Sequence, residues 1–143
     1  MVSYRESVAV AAPAETLWRV LVDVEAWPTI TESMTAVERL DDGPMRVGSS
    51  ARVRQPGLPP MIWRVTELDE GRSFTWQAST PGVVTTAFHR ITPTDDGCRL
   101  TLQIQHTGPL AAVARLVTGR RTRRFLALEA AGLRDRAQAL AAS

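Results

Sequence analysis

The stretch Leu110–Ala142, LAAVARLVTGRRTRRFLALEAAGLRDRAQALAA, decides the fold. It is rich in Ala, Leu and Arg and has no proline after Pro109, and only Gly119 and Gly132 are weak helix formers. Those properties predict one long helix, with a kink allowed at Gly119. At about 100° per residue, Phe125, Leu126, Ala130, Leu133, Ala137 and Leu140 share one broad face, with Thr122 also pointing inward. Arg120, Arg121, Arg123, Arg124, Arg134 and Gln138 fall on the opposite face. Such a face is wide enough to cover a sheet. Glu129 interrupts it, lying in the apolar arc bounded by Phe125 and Leu133.

The preceding residues supply the sheet. In Cys98–Thr107, Leu100, Leu102, Ile104 and His106 share one parity and point toward the covered side. Upstream, Met34–Leu40, Ser49–Arg54, Met61–Leu68, Ser73–Ser79 and Val83–Thr92 read as further strands. They are separated by turn material such as Asp41-Asp42-Gly43-Pro44, Asp69-Glu70-Gly71, Pro81-Gly82 and Asp95-Asp96-Gly97. Connections this short imply antiparallel hairpins, hence a meander. Val2–Ala11 forms a first strand with Val8 and Val10 in phase. Pro13 suits the first turn of an amphipathic helix reaching Val22, and Asp23 is placed to cap a second short helix ending near Trp27, before Pro28. The expected class is α+β: a seven-stranded curved antiparallel sheet, two short helices after the first strand, and a long C-terminal helix closing an apolar cavity.

Composition bounds the remainder. The 143 residues suit a single domain over 1–143, and 44% hydrophobic with 22% charged residues is ordinary for a chain that folds on its own. No apolar run approaches the span of a bilayer, and the Met1–Val10 start lacks a signal-peptide core. The expectation is therefore a cytoplasmic protein without stable membrane insertion. Seventeen basic against 15 acidic residues give a net charge of +2, which argues against a nucleic-acid partner. Cys98 is the only cysteine, so neither a disulfide nor a multi-cysteine metal site can form within the chain.

The order of elements resembles the helix-grip fold of the START/Bet v 1-like (SRPBCC) superfamily over nearly the whole chain. Val8-Ala9-Val10-Ala11-Ala12-Pro13-Ala14-Glu15-Thr16-Leu17-Trp18 is similar to that family's first strand and helix start. Asp23-Val24-Glu25-Ala26-Trp27-Pro28 resembles its second helix. Phe74-Thr75-Trp76, Thr86-Ala87-Phe88-His89-Arg90-Ile91 and the run from Gly119 to Leu133 resemble the polyketide cyclase/dehydrase-like branch. Relatives often carry a second tryptophan two residues after the proline. Here Thr29 is followed by Ile30, so the pocket rim differs.

Several residues are candidates for chemistry. A Glu129 shielded from water would have a raised pKa and could serve as acid or base toward a carbonyl ligand; an ion pair with Arg136, two turns on, would oppose that shift. His106 points to the covered face, whereas His89 lies in a strand whose two phases are both mixed. Either imidazole can hydrogen-bond a ligand near neutral pH, and a purely structural role is equally consistent with each. Trp18, Trp27, Trp63 and Trp76 are candidate aromatic walls, with Thr85, Ala87, Ile104, Thr122, Phe125, Leu126 and Leu133 completing the candidate ligand surface. No His-x-x-x-His pair, Gly-rich phosphate loop or dinucleotide fingerprint is present, so neither metal nor cofactor is expected. The arginine run reads as a solvated outer face.

The resemblance implies a small hydrophobic partner, carbonyl-bearing or aromatic; whether the chain is a monomer or a homodimer stays open. Three readings stay open. One is a binding protein, and another is a cofactor-independent cyclase/dehydratase that positions a polyketide-type substrate for acid/base catalysis. The third is a protein-interaction module in which the cavity is incidental.

Overall fold

A computed structural model describes residues 1–143. Strand β1 (Val2–Val10) leads into helix α1 (Ala14–Val22) and a short 3-10 helix (Val24–Thr29). A meander follows: β2 (Ala36–Arg39), β3 (Ser50–Arg54), β4 (Met61–Asp69), β5 (Ser73–Thr80), β6 (Val83–Thr94) and β7 (Gly97–Thr107). Helix α2 (Ala111–Ala142) completes the chain, uninterrupted at Gly119. All seven strands form one antiparallel sheet in the order β1-β7-β6-β5-β4-β3-β2. This is the helix-grip arrangement. A register shift between Val65 and Glu67 breaks the β4–β5 ladder, the kind of bulge that bends a sheet.

The local deviations from the sequence reading have simple causes. Pro13 stands at the N-cap of α1 rather than inside its first turn, and its carbonyl accepts from the N–H groups of Thr16 and Leu17. The second helix is 3-10 and carries through Pro28 to Thr29; Asp23 makes no side-chain cap bond there. Only Ala36–Arg39 of the expected Met34–Leu40 strand pairs with β3.

On α2, Leu140 is 41% exposed, and Gln138 is not an outward residue. Its Oε1 accepts from the Ala11 N–H at 2.9 Å, tying the helix to the end of β1. Residues 139–143 beyond that tie are all exposed. Arg136 makes no pair with Glu129, because the carboxylate turns inward among core residues while Arg136 stays at the surface.

Gly132 acts as a contact point rather than a weak point. A Cβ there would overlap the Ile30 carbonyl oxygen behind the 3-10 helix. Gly132→Ala is therefore expected to destabilise the fold by about 2 kcal/mol through overpacking, although Ala elsewhere in a helix gains about 0.5–1 kcal/mol over Gly. Urea unfolding measures this, and an unchanged or higher midpoint would contradict it.

Candidate functional site

Between the first half of α2 and the concave face of the sheet lies a cavity of about 230 Å³. Strand alternation supplies one wall: Met61 and Trp63 from β4, Trp76 and Thr80 from β5, Thr85, Ala87 and His89 from β6, and Ile104 and His106 from β7. Thr118, Thr122, Phe125, Leu126 and Glu129 of α2 supply the other, and Trp27 and Met34 close one end. Exposed Pro59, Thr80 and Arg121 mark the mouth.

An aromatic cluster stiffens the closed end. Trp27 lies 5.7 Å from Trp76 and 5.6 Å from His89, ring centre to ring centre. Phe74, paired with His89 across the ladder, stacks on it at 4.1 Å with 13° between the planes. Such contacts hold ring orientations that a flexible aliphatic wall would not.

The polar groups within this apolar shell are held uncharged. Burial pushes the Glu129 carboxyl up to about 8, and a hydrogen bond from Ser33 Oγ at 3.5 Å pulls weakly the other way. Ser33 is in turn 2.9 Å from Thr31 Oγ1, so two hydroxyls stand behind the acid. At neutral pH Glu129 is mainly a carboxylic acid, able to donate as well as accept.

Burial pushes His89 down to about 4, against the hydrogen bond to the Phe74 carbonyl at 3.1 Å. A carbonyl only accepts, so Nδ1 carries the proton and Nε2 is a lone-pair acceptor. His106 is likewise lowered by burial. Its Nδ1 is 3.0 Å from Thr85 Oγ1, while its Nε2 and the Trp27 Nε1 are buried without a partner in the protein. Buried polar atoms of this kind are uncommon.

Of the residues singled out from sequence, Trp27, Trp63, Trp76, Thr85, Ala87, Ile104, Thr122, Phe125, Leu126, Glu129, His89 and His106 border this one cavity. Trp18 and Leu133 do not. Trp18 packs into the core from α1 and donates Nε1 to Glu70 in the β4–β5 turn at 3.1 Å. Leu133 lies one turn past Glu129, where α2 already meets the 3-10 region, and is 1% exposed in solid core.

Arg121 departs from the outward reading of its run. Its Nη1 donates to the Gly57 carbonyl at 3.2 Å, bridging α2 to the β3–β4 loop at the mouth. Ser33 was missed because it sits in irregular chain with no period to place it, and Met34, expected to open a strand, lies ahead of the residues that pair as β2. Met61 was legible, sharing the parity of Trp63 and Val65.

The fold and its lined cavity define a helix-grip protein built around an internal apolar cavity. The chain belongs to the family of polyketide cyclase/dehydrase and lipid transport proteins, whose model matches residues 1–138. A protein from Thermobifida fusca solved by NMR superposes with a TM-score of 0.78 at 21% identity, over 98% of this chain and 95% of that one. A protein from Thermus thermophilus gives 0.77 at 16% identity, over 97% and 99%. The di-domain ARO/CYC StfQ of the steffimycin biosynthetic pathway gives 0.73 at 17% identity over 99% of this chain, which spans 51% of that longer protein. At these identities the likeness is one of fold. No curated protein sequence matches the chain.

Proposed function

We propose that the protein binds a compact, mainly apolar molecule carrying a carbonyl or aromatic hydroxyl, held by aromatic burial and oriented by uncharged polar groups. The observation that carries this reading is an apolar cavity containing a neutral carboxylic acid and a neutral imidazole. A charged ligand would leave its charge poorly solvated there, whereas a carbonyl oxygen can accept from Glu129 and a hydroxyl can donate to His89 Nε2. The cavity is smaller than the roughly 300–1,000 Å³ common for drug-sized ligands, which favours a few fused rings over a long acyl chain.

Binding of hydroxylated anthraquinones and of their hydrocarbon parents, followed by quenching of tryptophan emission, tests this. Glu129→Leu is expected to weaken the oxygenated series about tenfold and to spare or strengthen the hydrocarbons, since one hydrogen bond is exchanged for apolar surface. Equal losses in both series would refute the orienting role.

One observation favours a second, catalytic reading. A carboxyl titrating near neutrality is matched to proton transfer at working pH. In that reading the cavity folds a poly-carbonyl chain, Glu129 gives a proton to a carbonyl or departing hydroxyl oxygen, and a histidine lone pair accepts the proton lost from carbon. Glu129→Gln keeps a donor but removes the transferable proton, and His89→Asn or His106→Asn removes an imidazole. Lost turnover with retained affinity in these variants excludes a pure binder, and turnover at the wild-type rate excludes the catalytic roles.

A further inference from the structure

The first half of α2 presents a surface that cavity binding does not explain. Val113, Leu116, Val117, Arg120 and Arg124 recur at helical spacing along its outer side. Leu116 is 87% exposed and Val117 76%, the first among the most exposed large hydrophobics of the chain. Beyond this apolar turn the stripe becomes basic, with Arg121 and Arg123 on its flanks. No acidic residue occurs between Asp96 and Glu129, and the protein's four ion pairs involve none of the arginines of this half-helix.

The stripe is continuous with the cavity mouth. Arg121 ties it to the β3–β4 loop at Gly57, and the Leu110 N–H donates to Gly82 in the β5–β6 turn at 2.9 Å. Ala114, Thr118 and Thr122, on the next face of the same turns, line the cavity.

We propose that this half of α2 docks on an anionic lipid bilayer, with Val113, Leu116 and Val117 entering the headgroup region and Arg120 and Arg124 against lipid phosphates. Exposed aliphatics beside unpaired arginines match the two attractions that hold a protein at a membrane surface, whereas a nucleic acid would use only the arginines. A second copy placed on the same face would oppose arginine to arginine. Docked in this way, the mouth opens at the bilayer, so an apolar ligand passes between lipid and cavity without crossing water. No helix is long and apolar enough to cross a membrane, and this docking requires none.

Co-sedimentation of the full chain with phosphatidylcholine vesicles, with and without about one-third phosphatidylglycerol, tests the proposal. The anionic vesicles are expected to bind about tenfold more protein, with the difference lost in concentrated salt. Leu116→Glu with Val117→Glu, and separately Arg120→Glu with Arg124→Glu, should each reduce that binding about tenfold. Circular dichroism and uptake of an apolar fluorescent dye by the cavity should stay at wild-type levels, which separates loss of docking from loss of the ligand site. Equal binding to neutral and anionic vesicles, or variants that sediment like the wild type, would overturn the proposal. So would a wild-type dimer that Leu116→Glu with Val117→Glu dissociates while vesicle binding is unchanged.

Discussion

Replacing Glu129 by Gln is expected to stabilise the protein by about 3 kcal/mol at pH 7 and to leave it unchanged at pH 4. The buried carboxyl titrates at about 8 against an ordinary value of 4.5. Above pH 4.5 the folded chain therefore holds a proton that the unfolded chain releases. Stability associated with this group is complete below pH 4.5 and is lost as the pH rises toward 8. His89 has the opposite sign: lowered from 6.5 to about 4, it stays neutral in the fold while the unfolded ring takes up a proton. Its stability is complete above pH 6.5 and is lost, by about 3 kcal/mol, as the pH falls to 4. His106, also lowered by burial, adds in the same direction.

Between pH 4.5 and 6.5 the Glu129 and His89 slopes oppose each other, so the wild-type profile should be nearly flat there and fall on the alkaline side. In Glu129→Gln the alkaline fall disappears, and a rise with pH up to about 6.5 is uncovered. Urea unfolding of the two proteins at pH 4, 5.5 and 8 checks this. Parallel profiles would mean that Glu129 is ionised in the fold, and the acid-donor role in the cavity would be lost with it.

Trp27→Ala should cost about 3–5 kcal/mol, the range for truncating a buried aromatic. Trp27 is 1% exposed and touches Phe74, Trp76 and His89, joining the 3-10 helix to the closed end of the cavity. Its Nε1 has no partner in the protein, so Trp27→Phe keeps most of the ring contact without stranding a hydrogen-bonded neighbour. The phenylalanine variant should lose less than half as much stability. Denaturation followed by circular dichroism separates the two variants, and equal losses would show that the indole's size alone is at work.

Much of this arrangement is legible in the sequence alone. Hairpin turns and alternation in Cys98–Thr107 were enough to turn Leu100, Leu102, Ile104 and His106 inward, and all four are wholly or partly buried. The helical period of α2 turned Glu129 inward, where it is 8% exposed. The same wheel failed for Gln138 and Leu140 because a wheel has no end: it cannot register that the sheet stops beneath the helix. It also assigned Arg121 to solvent, since a long side chain at the edge of a face can fold toward a loop that periodicity does not contain. Trp18 and Leu133 were placed on the correct buried side, but a core and a cavity wall look alike to an apolar pattern.

The sequence by itself determined the order of elements, the antiparallel meander and the inward facing of His106 and Glu129, while that of His89 stayed open, because periods of two and 3.6 residues are local properties of the chain. Only the tertiary structure decided their chemistry. Glu129 meets Ser33 across 96 positions of sequence, and His89 donates a hydrogen bond from its Nδ1–H to the Phe74 carbonyl across a ladder. Whether each group carries a charge depends on how much water that assembled shell excludes, and no local pattern encodes this.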